Sequence, residues 1–150
     1  TPERARRLAE EAVAGSFDGF AFFHGNGQCT DWAFQKRPDV VLRAETKHYA
    51  EWLLAGGPVA GGQYVMLDWD GGNWARNARY AGLRTGRKPR VGALLAVPAG
   101  SRPGHVAYVE ELYDGGRFRV TEYNFDGGLG VLHERVLDVA ELSSESEFVY

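Results

Sequence analysis

Apolar residues recur every three to four positions at the start of this chain: Ala5, Leu8, Ala9, Ala12 and Val13. That period predicts a helix. Thr1 suits its N-cap, Pro2 its first position, and Gly15 its end. Residues 15–27 carry four glycines and read as a loop. A short helix is predicted from Gln28 to Lys36. It stops before Pro38, because proline disfavours helical backbone in the residue before it. A further helix is predicted within Asp39–Ala55, closed by Gly56-Gly57. Asn73 is a candidate cap for another, Trp74–Ala81, ended by Gly82.

From Val91 onward the pattern changes to short apolar runs. Strands are predicted at Gly92–Val97, His105–Tyr113, Arg117–Asn124, Val131–Leu137 and Glu147–Tyr150. Asp114-Gly115-Gly116 marks a hairpin. Helices first and antiparallel strands after them predict an α+β fold. Strand parity makes a finer statement. A two-residue turn at Asp114-Gly115 sets His105 opposite Asn124 and Ala107 opposite Glu122, with all four side chains on one face. A three-residue loop moves the register by one and turns Glu122 to the other face, unless a bulge restores it.

With 150 residues, the chain is the size of one domain. A net charge of −3 with no broad basic face argues against nucleic acid as a partner. Arg84, Arg87, Lys88 and Arg90 cluster in a Pro/Gly-rich stretch that reads as a solvated loop. No apolar run approaches the ~18 residues of a membrane span. No signal peptide is visible. The chain begins at Thr1 without a methionine, so it reads as a trimmed form or as a piece of a longer protein, with any targeting segment or other domains outside it.

There is one cysteine. It cannot form an internal disulfide, which leaves it structural or reactive. Gly25-Asn26-Gly27-Gln28-Cys29-Thr30-Asp31-Trp32 delivers Cys29 to the first turn of a helix, where free N–H groups and the helix dipole favour a thiolate. Gln28 can donate an amide N–H to a developing oxyanion, together with the Cys29 backbone N–H. A small side chain packed at a helix start is the alternative. His105 opens an apolar strand after Pro103-Gly104, and a nucleophilic cysteine needs such a base. Glu122 lies in the middle of an apolar strand, where a carboxylate is either solvent-facing or paired. As a third group it would orient the imidazole.

Together these elements resemble the CHAP family, the cysteine- and histidine-dependent amidohydrolases and peptidases. The resemblance rests on Gly27-Gln28-Cys29, Gly104-His105-Val106-Ala107-Tyr108-Val109 and Glu122-Tyr123-Asn124. It extends to Gly71-Gly72-Asn73-Trp74 and Pro89-Arg90-Val91-Gly92-Ala93. It implies a papain-like fold, with N-terminal helices and the cysteine helix packed on a small antiparallel sheet or half-barrel. It implies a secreted or cell-envelope enzyme that cleaves peptidoglycan amide bonds, as an endopeptidase or an N-acetylmuramoyl-L-alanine amidase. Cys29, His105 and Glu122 take the triad positions, Asn124 the accessory polar position and Gln28 the oxyanion position.

Two departures stand out. Asp31 separates Cys29-Thr30 from Trp32, and the stretch from about 38 to 70 reads as an insertion. Some relatives hold calcium beside the cysteine, and here Asp31 and Asp18 are the candidate ligands. Two carboxylates are too few for six to eight oxygens, so no metal or other cofactor is expected. His24 and His133 lack partners at zinc spacing, and His48 sits within a charged helical stretch. Trp69, Trp74 and Phe125 are candidate substrate contacts. A silent binding module of the same fold, an NlpC/P60-type peptidase, an antibacterial toxin and an amidase of small conjugates are the competing readings. The retained cysteine and histidine argue against the silent module, and Gln28-Cys29-Thr30 with Glu122 against NlpC/P60.

Overall fold

The computed structural model describes residues 1–15, 27–99, 102–125 and 128–150. Helix α1 (Pro2–Gly15) starts as its sequence predicts: the Arg4 N–H donates to Thr1 Oγ1 at 3.2 Å. Ala5, Ala9 and Val13 form its buried stripe and face α3 (Pro38–Leu54). Between them in sequence lies α2 (Cys29–Lys36). Helix α4 (Trp74–Tyr80) follows a 3-10 turn, Gly71–Asn73. Asn73 does not cap α4 with its side chain, contrary to expectation, because the preceding turn already places it in helical backbone. Past the helix end, Gly82 takes a φ of 81°, as a C-terminal glycine should.

Six strands form one antiparallel sheet among the described residues: β1 (Thr85–Gly86), β2 (Leu94–Ala99), β3 (Arg102–Leu112), β4 (Arg117–Glu122), β5 (His133–Asp138) and β6 (Glu147–Val149). Their order is β1-β6-β2-β3-β4-β5. The sheet is covered on one side by the helices. Leu94, Ala96, Val106 and Val149 face Val13, Phe34, Val40 and Trp74 there. Alternation sends Leu95, Ala107, Val109, Phe118, Val120 and Phe148 to the opposite face, where they form a second cluster.

The β3–β4 hairpin corrects the two-residue turn. The Tyr113 N–H donates to the Arg117 carbonyl at 2.7 Å across the three residues Asp114–Gly116. Pairing begins at Leu112↔Phe118 and Glu111↔Arg119, one step off the expected register. A bulge at Glu110 then absorbs the extra residue, and Val109↔Val120 and Tyr108↔Thr121 follow in the expected register. Extended by one, this register sets Ala107 opposite Glu122. Strand β4 ends there rather than at Asn124, whose φ of 53° is the one positive value outside glycine among the described residues.

The stretch from about 38 to 70 is knitted in by one carboxylate. Glu45 on α3 is fully buried. It accepts hydrogen bonds from the Leu67 backbone N–H at 3.0 Å and Trp69 Nε1 at 2.8 Å, and from the Tyr64 hydroxyl.

Candidate active site

Just before α2, Gly27 lies against the connection between β4 and β5. Gly27, at a φ of 73°, meets the chain again at Gly130, whose N–H donates to the Gly27 carbonyl at 3.0 Å. A Cβ on Gly27 would stand 2.4 Å from the Gly130 nitrogen, so only glycine fits. Asp31, two residues after Cys29, is 3% exposed. One of its oxygens accepts the Gly27 N–H at 3.2 Å and the other accepts Gln35 Nε2 at 3.1 Å. Asp31 thus ties the loop to the first turn of α2, and its charge suits a helix N-terminus. Both of its oxygens are engaged within the chain. Its candidate partner Asp18, like His24, lies outside the described residues. Among the described residues no cluster of three metal-ligating side chains occurs.

Cys29 is half-buried at the start of α2, packed against the helix-side core. Trp32 fixes this helix to the sheet by donating to Thr121 Oγ1 at 3.0 Å, and the Thr121 hydroxyl donates to Glu110, the bulge residue, at 2.8 Å. His105 reaches the same point from β3. Gly71 is pressed against it: a Cβ there would lie 2.7 Å from the His105 Cα and carbonyl carbon. Gly104 is pressed in turn on Gly72, with a Cβ only 2.8 Å from the Gly72 Cα. The Gly71-Gly72 pair therefore serves close backbone approach under the histidine.

His105 bridges two partners. Its Nε2 lies 2.7 Å from Glu122 Oε1, and its imidazole also interacts with the Cys29 side chain. Burial alone would disfavour the imidazolium. The hydrogen bonds and charges of Cys29 and Glu122 outweigh it and hold His105 at about 9. Glu122 is fully buried. Burial would raise its pKa, but bonds from His105 and Arg135 hold it down at about 2.

Asn124 lies past the end of β4 and is not paired with His105 in the ladder. Its Nδ2 donates to Gln28 Oε1 at 2.7 Å, so it ties the end of β4 to the residue before Cys29. Phe125 is 44% exposed, with its ring centroid 6.2 Å from that of His105. Trp69 and Trp74 are corrections. They are 2% and 0% exposed, they pack edge to face at 4.9 Å, and each indole N–H is already bonded, to Glu45 and to the Trp69 carbonyl. Neither can touch a substrate.

Arg135 is not among the residues that the sequence marks for this site, and His133 is weighed there only as a metal ligand. Arg135 forks onto Glu122, with Nε to Oε2 and Nη2 to Oε1 both at 2.8 Å. His133 Nδ1 stands 3.4 Å from Oε2, and its ring stacks on Phe125 at 4.8 Å. The signal was a buried carboxylate in need of a cation. Locating that cation required the β4–β5 register, in which Glu122 pairs with His133.

A family model, the CHAP domain, matches residues 19–124. Staphylococcal secretory antigen SsaA of Staphylococcus epidermidis is 38% identical over 72 residues, which are 48% of this chain and 28% of that protein. Staphylococcal secretory antigen ssaA2 of Staphylococcus aureus is 38% identical over 69 residues, 46% of this chain and 25% of that protein. The matches thus span about a quarter of these relatives' length. A solved N-acetylmuramoyl-L-alanine amidase from Staphylococcus aureus aligns over 83% of this chain and 30% of its own, with a TM-score of 0.51 and 23% identity. The fold is shared, and it is the papain-like α+β arrangement.

Proposed function

The chain belongs to the CHAP domain family, and on that premise we propose that it is a cysteine hydrolase of amide bonds in peptidoglycan. One observation carries the reading: His105 is hydrogen-bonded to the fully buried Glu122 and interacts through the same imidazole with Cys29.

With His105 held at about 9, the imidazole is protonated at neutral pH and gives a Cys29 thiolate its counter-ion. The sulfur attacks the carbonyl carbon of a peptidoglycan amide. The oxyanion that forms is met by the Gln28 side-chain amide and the Cys29 backbone N–H. His105 gives its proton to the departing amine, leaving a thioester on Cys29. A water molecule then attacks the thioester while His105 takes up its proton. The products are the free amine and a carboxylate, and Cys29 is regenerated. Glu122 holds the imidazole and balances its charge throughout. Phe125 forms an apolar wall beside the reacting atoms. No step calls on a metal.

The relatives' designation as secretory antigens supports an extracellular or cell-envelope place of action. No helix among the described residues is long and apolar enough to cross a membrane. The test is digestion of purified peptidoglycan followed by mass analysis. New amine and carboxyl ends are expected, and the fragment masses decide between an endopeptidase and an amidase that cuts at the sugar–peptide junction. Cys29→Ala should release nothing while keeping the wild-type melting curve. Hydrolysis by that variant at the wild-type rate would end the proposal.

A further inference from the structure

A carboxylate stripped of all water needs strong partners, because desolvation of the charge costs several kcal/mol. Glu122 has three charged or titratable neighbours among the described residues: His105 from β3, and His133 and Arg135 from β5. Cys29, from α2, reaches it through His105. Arg135 differs from the others in engaging both oxygens, at 2.8 Å each. The ladder makes this possible. Glu122 pairs with His133 and Val120 with Arg135, so Arg135 projects on the face of Glu122 along the diagonal. Phe125 covers the fork, its ring centroid 3.7 Å from the guanidinium carbon.

We propose that Arg135 is a positioning residue for hydrolysis, whose fork locks Glu122 in the one orientation that bonds His105 Nε2 and keeps the imidazole turned to Cys29. This rests on the roles proposed above for Cys29, His105 and Glu122. A carboxylate gripped at both oxygens cannot rotate about its terminal bond without losing both contacts. Oε1 is thereby fixed where Arg135 Nη2 and His105 Nε2 share it. Arg135 also supplies a full positive charge to a buried anion, in keeping with the low pKa of Glu122. A lysine would keep the charge but lose the planar fork.

The test compares Arg135→Gln and Arg135→Lys in the whole chain. The readouts are a 13C NMR titration of the Glu122 carboxyl carbon, and kcat and KM on a soluble disaccharide-peptide fragment of peptidoglycan. Arg135→Gln should raise the Glu122 titration by about one pH unit or more. It should lower kcat roughly tenfold or more at unchanged KM, since misorientation acts on the chemical step. Arg135→Lys should leave the carboxyl titrating low and still lose kcat. A folded Arg135→Gln chain with the wild-type Glu122 titration overturns the proposal. So does wild-type kcat in Arg135→Lys, which decides the matter alone if the glutamine variant does not fold. The titration needs no turnover, so a failure of the Cys29 mechanism shows itself separately, in a Cys29→Ala chain that still hydrolyses.

Discussion

Tyr108 pairs with Thr121 across the β3–β4 ladder, and this pairing turns Glu122 toward His105. At the hairpin end the strands pair one step differently, Glu111 with Arg119. Without the bulge at Glu110 that step would run on to the end of the strands. Glu122 would then sit opposite Tyr108 and face away from the histidine. The bulge is thus part of the site.

The His105–Glu122 pair predicts how stability follows pH. The folded pKa of Glu122 is lowered to about 2. Its stabilisation is present above the unfolded value of 4.5 and is lost as pH falls through 2. The folded pKa of His105 is raised to about 9, so its stabilisation is full below 6.5 and is lost as pH rises through 9. Both contributions are whole between 4.5 and 6.5. The two are only partly one interaction, because Cys29 also raises His105 and Arg135 also lowers Glu122. Urea unfolding should show greatest stability in that window. Glu122→Gln should abolish the acid slope and reduce the alkaline one, where Cys29 still acts on His105; an unchanged acid slope would count against the pair.

Gln28 and Asn124 should behave as one unit. Gln28→Ala should lower kcat by roughly 10²–10³ with little change in KM, as loss of an oxyanion donor does. Asn124→Gly suits the positive φ and deletes the donor to Gln28. It should lower kcat in the wild type and cost nothing further in Gln28→Ala. Equal losses in both backgrounds would show that Asn124 acts elsewhere.

Gly71→Ala should damage the site from behind. The added methyl group would stand 2.7 Å from the backbone of His105. Relief requires moving the histidine strand or the Gly71–Asn73 turn, at about 1–3 kcal/mol of stability. A fall in kcat is expected with it. A melting curve and kcat equal to wild type would show that the approach is looser than drawn.

Glu45→Ala tests the stretch from about 38 to 70. It leaves the buried Trp69 indole N–H and the Leu67 N–H without their acceptor. Each buried orphan costs about 1–3 kcal/mol. Urea unfolding should register a loss of about 2–5 kcal/mol, and a loss below ~1 kcal/mol would mean that water or another group takes the place of Glu45.

Much of this molecule is local and was legible along the chain. Thr1, Gly15, Pro38 and Gly82 punctuate the helices through backbone preferences that need no tertiary partner. The Gly27-Gln28-Cys29 run placed a thiol at a helix start, and period-two patterning gave the main strands. Tertiary structure decided what parity and burial depend on. The hairpin took a three-residue loop in place of the tight turn, and a bulge that no residue type announces repaired the register. Trp69 and Trp74 went to the core because the buried Glu45 and a neighbouring carbonyl satisfied their N–H groups. Asn124 went to Gln28 because the chain turns left-handed past Glu122. Arg135 reached Glu122 through a pairing between strands separated by a loop of about ten residues, whose path short-range patterning does not set. A sequence specifies which side chains can do chemistry. Which of them meet depends on strand register, and register is fixed by the summed packing of both faces of the sheet.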